Sequence, residues 1–453
     1  IDDQIDVTTR AVLGLSVSCA RCHDHKYDQV TMRDYYALAG VFLSSRVLPG
    51  VAHQREGGDG YVSPSRLIGL PAADVDADNA ELSSVLAPLL PPGIHSMNDY
   101  QDEWREGKRD IRFTTADNVA IGLLRGEPRD CEIRLRGEPG QLGDSVPRGD
   151  WRLSGLPAGP RVPPSATGRL QLARWLVAPE QPLTPRVYVN RVWQHLFGVG
   201  IVRTVDDFGA NAETPTHPEL LDHLALRFRE DGWSTKKLIR SLVLSRTYRL
   251  ASAGQTAAQA VDPSNSLYWR MNLRRLEIEP LRDSLLDVAG RLAPDRPHGI
   301  QVAGIGGKSP QSQVRSLLPF SSAYRSVYLP VLRAKLPEEF SMFDFPDPCL
   351  LQGQREATTV APQALFFMNN SFVVQSAREA AERMLDSVDS DSARVDWIYR
   401  RCLARPATAE EQGEALELVH SLDTKASDRR GEVHRWATLV QALFASAEFR
   451  YLR

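Results

Sequence analysis

A chain of 453 residues is longer than one compact core normally supports, so two or three domains are expected. Its 42% hydrophobic and 25% charged residues exclude a disordered or fibrous class, and a formal net charge of −3 lacks the overall basic bias that gathers nucleic-acid phosphates. No stretch approaches the roughly 18 apolar residues of a membrane-spanning helix; the longest candidates, such as ATLVQALFASAEF, are short and interrupted.

The opening IDDQIDVTTRAVLGL reads as the middle of a helix, which predicts a fragment whose upstream sequence lies elsewhere. Ile5, Val12, Leu13 and Leu15 recur among polar positions, as in an amphipathic helix running into Cys19. After the segment SCARCHDHKYD, Thr31 and Asp34 have the spacing of a capping box, with Asp in place of the usual Glu or Gln. Tyr35, Leu38, Ala39 and Phe42 then follow at helical spacing through Leu43. From about Val47 to Ser165, clusters of proline, glycine and aspartate surround the short β-rich pieces NVAIGLL and CEIRLRG, and LPAGPRVPPSATG reads as a linker. Beyond it helical periodicity returns in RLQLARWLVA, RVYVNRVWQHLFG, HPELLDHLALRFRE, TKKLIRSLVLSRTYR and LRRLEIEPLRDSLLDVAGRL, with two more helices expected around 362–385 and 433–452. RSVYLPVLR is the best strand candidate in that half. The expectation is a mainly α protein. A helix pair (1–50) and a helical domain (168–453) flank a loop-rich region with a small β unit (51–167).

Five cysteines are too few for a disulfide framework, and only Cys19 and Cys22 are near neighbours. With His23 they match the C-x-x-C-H pattern of covalent haem attachment, in which two thiols one turn apart meet two vinyl groups and the next imidazole becomes the proximal iron ligand. His25 and Lys26 are candidates to contact a haem propionate, and His25 alternatively a backbone carbonyl; Met32, His53, His95 and Met97 are candidates for a distal ligand. The alternatives are zinc, for which no second C-x-x-C is present, and a redox or structural disulfide.

Several long motifs in order carry a resemblance. DQIDVTTRAVLGLSVSCARCHDHKYDQVTMRDYYALAGVF resembles the end of the planctomycete cytochrome c-like domain. NRVWQHLFGVGIVRTVDDFG, PTHPELLDHLA, YLPVLRAKLPEEFSMFDFPDP and TTVAPQALFFMNN resemble the planctomycete-specific domain of unknown function that follows it. Residues 51–110 match poorly, and KYDQVTM lacks the proline-containing turn expected after the aspartate. The resemblance implies an exported protein named for its haem motif, and the chemistry agrees, because c-type haem is attached outside the cytoplasm. A periplasmic or cell-surface location and a redox partner protein are therefore expected.

Elsewhere, Asn190, Arg191, Gln194 and His195 lie on or near one helix, with Arg191 and His195 on one face suited to an anion or to anchoring a neighbouring domain, and Asp206 and Asp207 suit a divalent cation or, better, turn capping. Asp344 and Asp347 lie in a proline-rigidified loop, with Gln354, Arg355, Glu356, Thr358 and Thr359 shortly after, where they would build either a sugar-binding or acid/base cleft or a buried polar network. Three functions thus stand at this point. They are a haem-mediated electron carrier, an extracellular oxidoreductase or hydrolase acting on polysaccharide, and a non-catalytic scaffold with zinc or a disulfide at the cysteine pair.

Overall fold

A computed structural model describes residues 1–48, 51–52, 61–62, 68–69, 119–120, 122–153, 155–295, 320–329, 331, 336–422 and 428–452. The protein is mainly helical, as its periodicity predicts.

Helix α1 (Asp2–Leu13) has Asp2 and Asp3 at its positive end and Arg10 in its last turn, and Gly14 closes it in the left-handed conformation at φ 64°. Helix α2 (Met32–Leu43) starts at the predicted capping box: Thr31 accepts from the Asp34 N–H, and Asp34 accepts from the Thr31 N–H. Strand β1 (Ser45–Leu48) pairs antiparallel with β2 (Gly122–Arg125), so the region between them returns to the end of α2. Strands β3 (Cys131–Arg134) and β4 (Leu142–Val146) form a second antiparallel pair with a register shift between Glu132 and Arg134.

Three cores follow one another. The first joins Ile5, Leu13, Leu15, Val17 and the buried face of α2 to Cys131, Val146, Trp151 and Leu153, and then to Leu172 and Trp175 of α3 (Arg169–Leu176). The hairpin and the linker therefore build on the N-terminal helix pair, and this core continues past residue 168. Trp151 is fully buried, edge-on to Trp175 with ring centroids 5.5 Å apart. The second core packs α4 (Leu183–Phe197), α5 (Pro218–Glu230) and α6 (Thr235–Val243) around Trp193, Phe197 and Phe228. Pro218 occupies the first turn of α5, where its missing N–H is harmless.

The third core gathers α7 (Ile278–Ala289), α8 (Ala361–Asn369), α9 (Ser371–Ser387), α10 (Asp391–Leu403), α11 (Ala409–Ser421) and α12 (Arg429–Ala445). The short strand β5 (Arg274–Arg275) enters this core and pairs with β6 (Tyr451–Leu452) near the end of the chain. One expectation fails here: Ser326–Tyr328 of the strand candidate form a 3-10 turn. The cause is Arg282, wholly buried, which donates to the carbonyls of Phe320 and Tyr324 and to Ser326 Oγ, while Asp283 accepts from the Ser326 N–H and hydroxyl. With the Ser326 N–H and hydroxyl turned onto this pair, Ser326–Tyr328 do not extend.

Among the described residues no helix is long and apolar enough to cross a membrane.

Truncation of Trp151 to Ala is expected to lower stability by about 3–5 kcal/mol, read from urea unfolding of the full chain. Arg405 hydrogen-bonds both Glu411 and Glu448, fastening α11 to the chain end. These bonds bring the Glu411 carboxyl down from 4.5 to about 2. A depressed carboxylate pKa stabilises the fold above its unfolded value and loses that contribution as pH falls through the folded value. Melting temperature should therefore fall more steeply between pH 4.5 and about 2 in the native chain than in Glu411→Gln.

Candidate functional site

The C-x-x-C-H segment is pushed outward by its neighbours. Past Gly14 the chain turns, burying Leu15, Val17 and Ala20 in the first core and forming a 3-10 turn over Val17–Arg21. Ala20 is completely buried, and the cysteines on either side, Cys19 and Cys22, are exposed free thiols. The Tyr36 hydroxyl donates to the Arg21 carbonyl at 3.0 Å, pinning the end of the turn. Gly137, at φ +76°, lies so close to Cys22 that a Cβ there would overlap Sγ.

His23 is exposed, with Nδ1 2.7 Å from the Asp24 carbonyl. A carbonyl only accepts, so Nδ1 carries the proton and Nε2 presents its lone pair outward. This is the arrangement in which a metal-ligating imidazole is usually oriented by its second nitrogen.

His25 does not share that role. Its Nδ1 accepts from the Asp28 N–H at 2.8 Å, so Nε2 donates to Ser16 Oγ at 3.3 Å, and both nitrogens are spent inside the loop. With its side chain largely buried, the ring takes both of these partners from within the chain. Lys26 remains exposed, 5.0 Å above the Tyr27 ring. Met32, the distal candidate on α2, packs against the first core, and its N–H donates to Asp24 Oδ1. It is a packing residue held by the start of its helix. His53, His95 and Met97 lie outside the described residues.

The loop is anchored at both ends. Asp28 Oδ1 accepts from the Ala210 N–H at 2.7 Å, and Asp34 Oδ1 accepts from the Arg152 N–H at 2.6 Å. Beside it, starting at Asp24, is a hollow of about 820 Å³ with Asp28, Arg33, Asp150 and Arg152 in its polar wall. Among the described residues no group of three or more His, Cys, Asp or Glu side chains has a metal-ligating arrangement.

The second candidate cluster divides. Asp344, in the left-handed region at φ 62°, accepts from Arg275 at 2.5 Å and from the Thr358 N–H and hydroxyl at 2.9 and 2.8 Å. Burial works to raise its pKa, yet the bonds from Arg275 and Thr358 outweigh burial and hold the carboxyl below the ordinary carboxylate range. Arg355 binds Glu279 through both terminal nitrogens at 2.7 and 2.8 Å, reaches Glu277 at 2.9 Å and stacks over Phe345. Asp347 is separate and exposed, accepting from the Cys349 N–H at 2.8 Å. The loop is therefore a polar brace, and Asp344 is a poor proton donor because it stays ionised. Asp344 and Arg355 do line a second cavity, of about 550 Å³, together with Gln194, His195 and Arg274; of these Arg274 gave no spacing signal.

Arg191 anchors rather than binds: it donates to the Arg10 carbonyl and to Asp206, both at 2.9 Å. Asp206 also accepts from the Gly353 N–H, and Asp207 caps the turn at Gly209.

Residues 168–419, more than half of the chain, match the model of a protein of unknown function, PSD1 (DUF1553), and the chain belongs to that family. Residues 1–47 match the model of a second protein of unknown function, PSCyt2 (DUF1549), which holds the C-x-x-C-H segment. No curated protein and no solved structure matches the chain.

Gly137→Ala is expected to destabilise the fold by about 1–2 kcal/mol through its left-handed backbone. It should also displace Cys22, so that alkylation followed by mass spectrometry finds Cys22 modified faster than in the native chain while Cys19 is unchanged.

Proposed function

We propose that Cys19, Cys22 and His23 hold a covalently attached c-type haem, and that the protein is an exported electron carrier serving a redox partner. The observation that carries this reading is the open presentation of all three side chains, with the His23 Nε2 lone pair outward and Nδ1–H fixed on the Asp24 carbonyl.

The donor set fits the group. Cys19 and Cys22 would hold the macrocycle by thioether bonds and His23 would be the proximal ligand. A haem there supplies one-electron chemistry. A closed structural zinc site asks for four protein ligands brought together. A haem brings four ligands of its own and needs one imidazole plus two reachable thiols, which is what this surface offers. The residues beside the motif act as a frame: Ala20 buried beneath the turn, Tyr36 on the Arg21 carbonyl, and Asp28 and Asp34 holding the loop. An attachment point exposed in this way favours exchange with another protein over chemistry in a sealed pocket. Attachment outside the cytoplasm is the ground for proposing export, to the periplasm or the cell surface.

Protein produced in a host that matures c-type cytochromes should show a Soret band that survives acid–acetone extraction. Cys19→Ser combined with Cys22→Ser should remove the covalent band, and His23→Ala should shift it. A colourless protein whose intact mass equals that of the chain alone, or one that carries zinc without iron, would overturn the reading.

A further inference from the structure

The cavity between the second and third cores has two buried polar atoms in its wall with no hydrogen-bond partner among the described residues, Gln194 Oε1 and Arg274 Nε. Gln194 is only 9% exposed and sits in the last turn of α4, pointing at the seam; Arg274 lies in β5, with its Nη1 on the His195 carbonyl and its stem against Gly198. Buried polar atoms are almost always paired, and of the described ones without a partner Gln194 Oε1 and Arg274 Nε are the acceptor and donor that lie in the wall of one cavity, where a bound group can pair both. A group that satisfies both must itself donate and accept, as a hydroxyl does.

The charges narrow the class. Arg275 is paired with Asp344, and Arg355 with Glu277 in the lining and with Glu279 behind it. The remaining formal charges of the wall outside these pairs, Arg274 and Glu356, are one of each sign. The charges of the lining itself balance, with Glu279 one further negative charge behind Arg355, so nothing in the wall selects an anion, and the volume of about 550 Å³ falls in the small-ligand range of about 300–1,000 Å³.

We infer that this cavity is a binding site for a neutral polyhydroxylated ligand, a small saccharide, with Gln194 Oε1 accepting from a hydroxyl and Arg274 Nε donating to one. The site is separate from the cysteine pair and does not depend on the haem reading. The Arg275–Asp344 and Arg355–Glu279 pairs then serve as its fixed walls, which explains why so many polar groups are braced around a seam that apolar packing alone would close.

The test is saturation-transfer NMR on the full chain with the methyl glycosides of glucose, galactose and mannose at millimolar concentration. At least one should receive saturation, and Gln194→Leu and Arg274→Lys should each weaken its binding by about fivefold to tenfold. Gln194→Leu should melt at the same temperature as the native chain or higher, since it removes an unpaired buried acceptor; a purely structural glutamine would melt lower. Should that variant not fold, Arg274→Lys, which keeps the charge and loses Nε, carries the test. No transfer to any glycoside, binding unaffected by either variant, or displacement of the glycoside by sodium sulfate would overturn the proposal. Repeating the titration in the Cys19→Ser, Cys22→Ser chain separates the two sites: binding should persist there.

Discussion

One carboxylate organises the N-terminal part of this protein. Asp34 is 7% exposed, and a buried charge is tolerable only when its oxygens are filled. Oδ2 accepts from the N–H and hydroxyl of Thr31, which starts α2, and Oδ1 accepts from the N–H of Arg152, more than a hundred residues on. The same group therefore defines where the loop after His23 ends and fastens the segment carrying Trp151 onto the helix pair. The outward presentation of Cys19, Cys22 and His23 follows from that frame, because the loop that continues from them is held at Asp28 and at Asp34.

The three cores are joined by a few directed polar contacts. Phe208 donates its N–H to the Gly14 carbonyl at 2.7 Å, and its ring fills the space that a Cβ at Gly14 would take, so the glycine that ends α1 is also a docking point. Asp206 links Arg191 of α4 to the backbone of Gly353, tying the second core to the loop of the third. Such contacts set direction more than they add stability, since exposed or half-buried ion pairs contribute little each.

Local signals carried much of the architecture. The capping box at Thr31 and Asp34, the proline at the start of α5 and the helical periodicity of the C-terminal half are all short-range patterns, and each yields the element it predicts. Within the strand candidate RSVYLPVLR, Ser326–Tyr328 form a turn because Asp283, from another element, accepts from the Ser326 N–H and hydroxyl while Arg282 donates to that hydroxyl, competitors invisible to a nearest-neighbour pattern. His25 and Met32 likewise find their partners through the fold, one on Asp28 and Ser16 and the other against the first core.

The sequence by itself determined the mainly helical class and set Cys19, Cys22 and His23 at C-x-x-C-H spacing, because period, capping and donor spacing act over a few residues. Only the tertiary structure decided which of the neighbouring groups stay available, that Asp344 and Arg355 are each held in ion pairs, and that Gln194 and Arg274 share a wall. The physical reason is that a polar side chain's role depends on whether its partners are supplied by the fold, and those partners come from residues far away in the chain.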